Sequence, residues 1–146
     1  MQKYLYALFL TMLINSTALA NDLEHLVQLQ QHGDIASLTK IAQTGNYNAQ
    51  ILLIKHYETH KDQEKQFYWI KEFAKQGNDY AQNALGAMYL YGIGVEQYDA
   101  KRAIELFKLA DKKSNANAQY NLGMIYLNGM GVPKNKKLAK LWFNKA

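Results

Sequence analysis

Part of this chain is written twice. The fifteen residues from Ala81 to Val95 align with those from Ala118 to Val132, and nine of the fifteen positions are identical at an offset of 37. Further on, Ala103, Phe107 and Ala110 match Ala139, Phe143 and Ala146 at an offset of 36, so the earlier connecting loop is one residue longer. A weaker copy precedes both, with Ala49, Gln50, Leu53 and Tyr57 matching Ala81, Gln82, Leu85 and Tyr89 at an offset of 32. Its loop, about Thr59 to Gln63, lacks the Gly-x-Gly-Val element of the later copies. Linkers recur too, from Ala42 to Asn46, Ala74 to Asn78 and Asp111 to Asn115. Residues 22–43 read as a still more degenerate unit turning at Gly33 and Asp34. Self-similarity at such a period marks an architecture stacked from one small supersecondary unit.

The unit reads as two antiparallel helices. Ala118, Leu122, Ile125 and Tyr126 recur at i, i+4, i+7 and i+8, which places them on one helical face. Gly129 ends that helix, since glycine tolerates the left-handed conformation that closes one. Gly131 lets the chain turn again, Val132 tucks back onto the pair, and Pro133 opens the return without removing a needed donor. The second helix then presents Leu138, Leu141 and Trp142. Gly86 and Gly123 fall inside helices, where glycine costs about 1 kcal/mol relative to alanine. The same cost at the same place in both copies implies close backbone approach between paired helices. One hairpin cannot bury both of its faces, so neighbours must stack. The expected fold class is therefore all-α, an α/α superhelical solenoid of antiparallel helix pairs within one domain, residues 21–146. Its pairs are residues 22–43, 47–76, 79–113 and 116–146, with Leu85 and Leu122 on a continuous apolar seam.

The first twenty residues stand outside this pattern. Lys3, the nearly uncharged stretch from Tyr4 to Ile14, and the sequence Ala18-Leu19-Ala20 make a cleavable secretory signal with cutting expected after Ala20. The apolar run is shorter than the ~20 residues of a spanning helix, so no stable membrane insertion is expected after cleavage. The expected destination is the periplasm or the exterior. No cysteine occurs, so neither a lipidated cysteine nor a disulfide is available, and helix packing must supply the stability.

Charge is unevenly placed. Residues 21–99 hold six basic and ten acidic side chains, whereas residues 100–146 hold ten basic and two acidic ones. A basic end of this kind attracts an acidic partner or an anionic membrane surface through its long-range field, or is simply a solvated lysine-rich face. Nucleic acid is excluded as a partner by the export signal and by the lack of a basic, aromatic-interleaved recognition element.

Leu85-Gly86, Tyr89, Gly92-x-Gly94-Val95 and the segment from Ala103 to Ala110, with their counterparts from Leu122 to Ala146, resemble the Sel-one-like repeat family, a branch of the tetratricopeptide-like α/α solenoids. The resemblance implies an adaptor that holds partners on a curved surface, and exported bacterial members of the family are common. A cysteine-rich branch is associated with β-lactam binding or hydrolysis, and the absence of cysteine sets this chain apart from it. Ala146 lies inside the last helix, with no polar capping helix after it. The resemblance thus leaves an apolar edge around Leu138, Leu141 and Trp142 for a partner or a second copy to cover, or else a truncated relative of a longer protein.

Two short patterns invite catalytic or metal readings. His56 and His60 are spaced i, i+4, which could bring both imidazoles to one metal, yet no third ligand is near in sequence and the glutamate is misplaced for His-Glu-x-x-His. Ser37-Leu38-Thr39-Lys40 fits the Ser-x-x-Lys pattern of penicillin-binding enzymes, but the accompanying elements are missing. No catalytic residue, metal ligand or cofactor is expected. Binding is expected instead on the concave face, lined by the first helix of each unit. There Tyr80, Asn83 and Tyr91 of one unit stand beside Tyr120, Met124 and Asn128 of the next, with tyrosine offering a large ring and a hydrogen-bonding tip. Tyr57, Tyr89 and Tyr126 occupy the core position of the repeat. The expected role is an exported adaptor for an envelope protein. A second reading, implied by the resemblance, is an immunity protein that neutralises a phospholipase effector of type VI secretion, and β-lactam hydrolysis comes third.

Overall fold

The computed structural model describes residues 20–146, and all regular secondary structure among them is helical. The expected leader therefore falls outside the described residues, apart from Ala20. Helix α1 covers residues 20–31. It is followed by α2 (Ile35–Gln43), α3 (Tyr47–Thr59), α4 (Gln63–Lys75), α5 (Asp79–Tyr91), α6 (Ala100–Asp111), α7 (Ala116–Asn128) and α8 (Lys136–Lys145). The expected all-α fold class is thus the one observed. No described helix is long and apolar enough to cross a membrane. The chain divides into two compact units, one running to His56 and the other from Tyr57 to Ala146.

Each helix from α2 onward starts where a short polar side chain can accept from the first turn. Asn46, Asn78 and Asn115, one in each recurring linker, accept from the backbone N–H of Ala49, Ala81 and Ala118 at 2.9, 2.8 and 3.0 Å. Asp34, Asp62, Asp99 and Asn135 do the same for α2, α4, α6 and α8. Such caps satisfy donors that the helix itself leaves unpaired. At the other end, Gly92 and Gly129 close α5 and α7 with φ of 67° and 72°.

The Ala-Gln pair that recurs along the chain has a structural task that periodicity alone did not reveal. Gln50 Nε2 donates to the Ala42 carbonyl at 3.1 Å, and Gln82 Nε2 to the Ala74 carbonyl at 3.4 Å. Both carbonyls lie in the last turn of a preceding helix, where each also accepts from the N–H of a turn glycine, Gly45 or Gly77, at 3.0 Å. In the last copy the corresponding residue is Asp111, and Gln119 Nε2 donates to its carboxylate at 2.7 Å. Each glutamine therefore fastens the first helix of one hairpin to the end of the helix before it.

In the unit from Tyr57 onward, α5 packs on α6 and α7 on α8, while α4 meets α5 and α6 meets α7. Leu85, Met88, Tyr89, Leu90, Ile104, Phe107, Leu122 and Ile125 are buried in this stack. The close approach expected at Gly86 and Gly123 is present, but the neighbour is an aromatic ring rather than backbone. A Cβ at Gly86 would meet Phe107 Cε1 at 2.7 Å, and one at Gly123 would overlap the Phe143 ring in the same way. The loop glycines act between hairpins. Gly94 (φ 68°) lies against the Gln63 carbonyl at the start of α4, and Gly131 (φ 70°) against the Ala100 side chain at the start of α6. On α8 only Ala139 is buried, whereas Leu141 is 59% exposed.

Gly86→Ala adds the helix propensity of alanine, worth about 1 kcal/mol, but forces a methyl into the Phe107 ring, and overpacking of this kind costs about 1–3 kcal/mol. Urea denaturation should show Gly86→Ala as destabilising in the native background. In a Phe107→Leu background, where the ring is gone, the same change should be neutral or stabilising. The same sign in both backgrounds would remove the ring from the account.

Candidate protein-interaction surfaces

A residue advances about 100° around a helix, so positions two, five and six away from a core residue fall on the far side from it. Tyr80, Asn83 and Tyr91 stand in that relation to Leu85 on α5, and Tyr120, Met124 and Asn128 to Leu122 on α7. The structure leaves Tyr80, Tyr91 and Tyr120 open to solvent at 70, 60 and 53% exposure. Asn128 is exposed, while Asn83 and Met124 are half-buried. Asn83 is also engaged: its Oδ1 accepts from Asn121 Nδ2 at 2.9 Å, which ties α5 to α7. The Tyr120 ring leans on Phe143, centroids 5.5 Å apart, so it is a braced ring rather than a loose one. Tyr89, by contrast, belongs to the core, buried and edge-on to Phe67 at 5.5 Å.

A second surface lies on the opposite side of α5. There α4 and α6 flank a groove of about 320 Å³. Its floor is Gln82, Leu85 and Tyr89, its walls carry Ala74, Leu106 and Leu109, and Lys71, Lys75, Arg102 and Glu105 complete the lining. Arg102 is held over the Tyr89 ring at 4.9 Å, and Lys75 pairs with Glu72 at 2.5 Å. Leu109 is 42% exposed.

The next interval, between α6 and α8 over α7, is built from corresponding positions but is differently furnished. Asp111 stands where the first interval has Ala74, Trp142 where it has Leu106, and Lys145 where it has Leu109. Lys145 Nζ reaches both Asp111 oxygens at 2.6 Å and lies 5.1 Å from the centre of the Trp142 ring. Burial pushes the Asp111 carboxyl up, but hydrogen bonds from Lys145 and Gln119 and the lysine charge outweigh it and hold the group below its ordinary value. Sequence reading missed the groove. The signal lay in the places where the two copies differ, above all Leu106 against Trp142.

The two short sequence patterns are placed separately from these surfaces. His56 is half-buried on α3, and His60 is exposed just past the end of that helix, its Nδ1 3.2 Å from the Thr59 hydroxyl. Among the described residues, no three histidine, aspartate or glutamate side chains gather into a group that could hold a metal. Ser37 sits in the first turn of α2, where its backbone N–H is capped by Asp34 at 3.1 Å. That bond, then one from the Ser37 side chain, holds the Asp34 carboxyl below its ordinary value.

Helix pairs fastened by glutamine caps and interlocked by loop glycines define an α/α solenoid repeat protein. A family model described as the Sel1 repeat matches residues 79–110 and 116–146. Two solved structures are similar. A Sel1 repeat protein from Oxalobacter formigenes is 30% identical, with a TM-score of 0.65 over 75% of this chain and 86% of that one. A protective antigen present in uropathogenic Escherichia coli strains, displaying an SLR fold, is 28% identical, with a TM-score of 0.66 over 74% of this chain but only 24% of that one. This chain belongs to the Sel1 repeat family. Sel1-repeat proteins generally mediate protein–protein interaction, and their fold is typically a non-catalytic binding scaffold.

Because folding lowers the Asp111 pKa, its ion pair stabilises above the ordinary carboxylate range and that contribution fades as pH falls through the lower folded value. Asp111→Asn should therefore reduce stability by about 0.5–1 kcal/mol at neutral pH. The gap to the native chain should close on acidification below the folded pKa. Chemical denaturation at a series of pH values measures it, and a gap independent of pH would exclude the carboxylate.

Proposed function

We propose that this chain is an exported adaptor that docks an envelope protein on the face formed by α5 and α7. The observation that carries the reading is the exposure of three large aromatic rings, Tyr80, Tyr91 and Tyr120, on one side of two helices already tied together by Asn83 and Asn121. Rings held on rigid helices lose little conformational freedom on binding, and tyrosine combines apolar area with a hydrogen-bonding hydroxyl. Support for export comes from the charged, apolar and small-residue succession ahead of Asn21.

The test is capture from envelope extract with the C-terminally tagged chain as bait, alongside a Tyr80→Ala/Tyr91→Ala/Tyr120→Ala variant. Removing interface aromatics of the hot-spot kind should weaken capture of the principal partner at least about tenfold, equivalent to about 1.4 kcal/mol or more. Equal capture by the variant would take this face out of consideration. N-terminal sequencing of the exported product should read from Asn21, and a chain retaining Met1 would defeat the export part of the proposal.

A further inference from the structure

The groove between α4 and α6 plays no part in the adaptor face, because Gln82, Leu85 and Tyr89 look away from Tyr80, Asn83 and Tyr91 on α5. We propose that it is a second docking site, and that its occupant is an acidic peptide segment carrying one aromatic side chain.

The aromatic part follows from comparing the two intervals. Between α6 and α8 the chain supplies its own indole, Trp142, with Lys145 over the ring and bridged to Asp111. Between α4 and α6 the corresponding positions hold Leu106, Leu109 and Ala74, which are smaller or uncharged. Positions that carry an indole and an ion pair in one interval thus carry smaller or uncharged side chains in the other, where a cleft is open over a floor of the same residue types, Gln, Leu and Tyr. A volume of about 320 Å³ suits one large side chain with a short stretch of backbone, and lies at the small end of ligand-sized clefts.

The acidic part follows from the rim. Lys71, Lys75 and Arg102 line the groove against a single carboxylate, Glu105. Lys75 is paired with Glu72 beside it. Arg102 is fixed by its stack on Tyr89, and a guanidinium so oriented can meet a carboxylate with two parallel hydrogen bonds. Lys71, at the α4 wall, offers a second point of attraction. An aromatic anchor in the apolar cleft, with carboxylates on either side of it, satisfies both features at once.

The test is an NMR titration of the full chain with acetyl-Asp-Glu-Trp-Glu-Asp-amide, with acetyl-Lys-Lys-Trp-Lys-Lys-amide as the control. Saturable shifts should centre on Leu85, Leu106 and Leu109, and the basic peptide should bind at least fivefold more weakly. Leu106→Trp copies the neighbouring interval and should reduce affinity for the acidic peptide at least tenfold. Lys71→Glu/Arg102→Glu, which changes only the rim, should do the same and should reverse the preference toward the basic peptide. The proposal is overturned if no saturable shift occurs, if the shifts centre on Tyr80, Tyr91 and Tyr120, if both peptides bind alike, or if the folded variants bind as the native chain does.

Discussion

Each clear hairpin is set by a ring lying on a glycine. Phe107 covers Gly86 and Phe143 covers Gly123, so the paired helices approach as closely as an aromatic side chain allows on a bare backbone. A glycine inside a helix costs about 1 kcal/mol, whereas full burial of a phenylalanine side chain contributes about 1.5–3 kcal/mol. The balance favours the pair only when both members are present. Phe107 is indeed fully buried, and the helix carrying it is thereby held in one rotation about its own axis. Rotation matters because it decides which residues of α6 face outward. With Phe107 turned inward, Leu106 and Leu109 come to the wall of the groove and Arg102 to the Tyr89 ring.

A second contact sets one hairpin against the next. Gly94 and Gly131 have left-handed backbones and lie on the first residues of α4 and α6, Gln63 and Ala100, which are themselves 37 positions apart. The glutamines at 82 and 119 grip the same neighbouring helices at their other ends. Contacts at both ends fix the stagger of adjacent hairpins, and that stagger brings Asn83 within hydrogen-bonding reach of Asn121. The α5 and α7 faces are consequently continuous, and their tyrosines sit on backbone that does not need to reorganise to meet a partner.

Much of this was legible in the residues. A doubled stretch with helical spacing and glycine punctuation was enough for antiparallel hairpins and for burial of Leu85 and Leu122. Some details were not, each for a physical reason. Gly86 announces a close approach but says nothing of what approaches, since the partner ring lies twenty-one residues away on another helix. Gln82 looks like an ordinary polar position until its amide is seen to reach the Ala74 carbonyl at the end of the preceding helix. Asn83 reads as a surface amide, although its Oδ1 is already engaged by Asn121. The groove was hidden for a different reason. Repeats are recognised from identical positions, and this feature is written in positions where the copies disagree.

Those disagreements carry little energetic weight in the folded chain, which bears on why they could diverge. The Lys145–Asp111 pair involves a lysine that is 50% exposed, and partly exposed ion pairs contribute about 0–1 kcal/mol. Exchanging such a pair for Leu109 and Ala74 leaves the glycine–ring contact and the helix N-caps untouched, and the glutamine, bonded to the Asp111 carboxylate in one interval, bonds to the Ala74 carbonyl in the other. The interval between α4 and α6 is therefore free of structural duty in a way that the floor beneath it is not. Leu85 and Tyr89 cannot change without disturbing the core, but Leu106, Leu109 and Arg102 at the wall and rim can. A stack of near-identical hairpins acquires different surfaces by altering such positions one interval at a time.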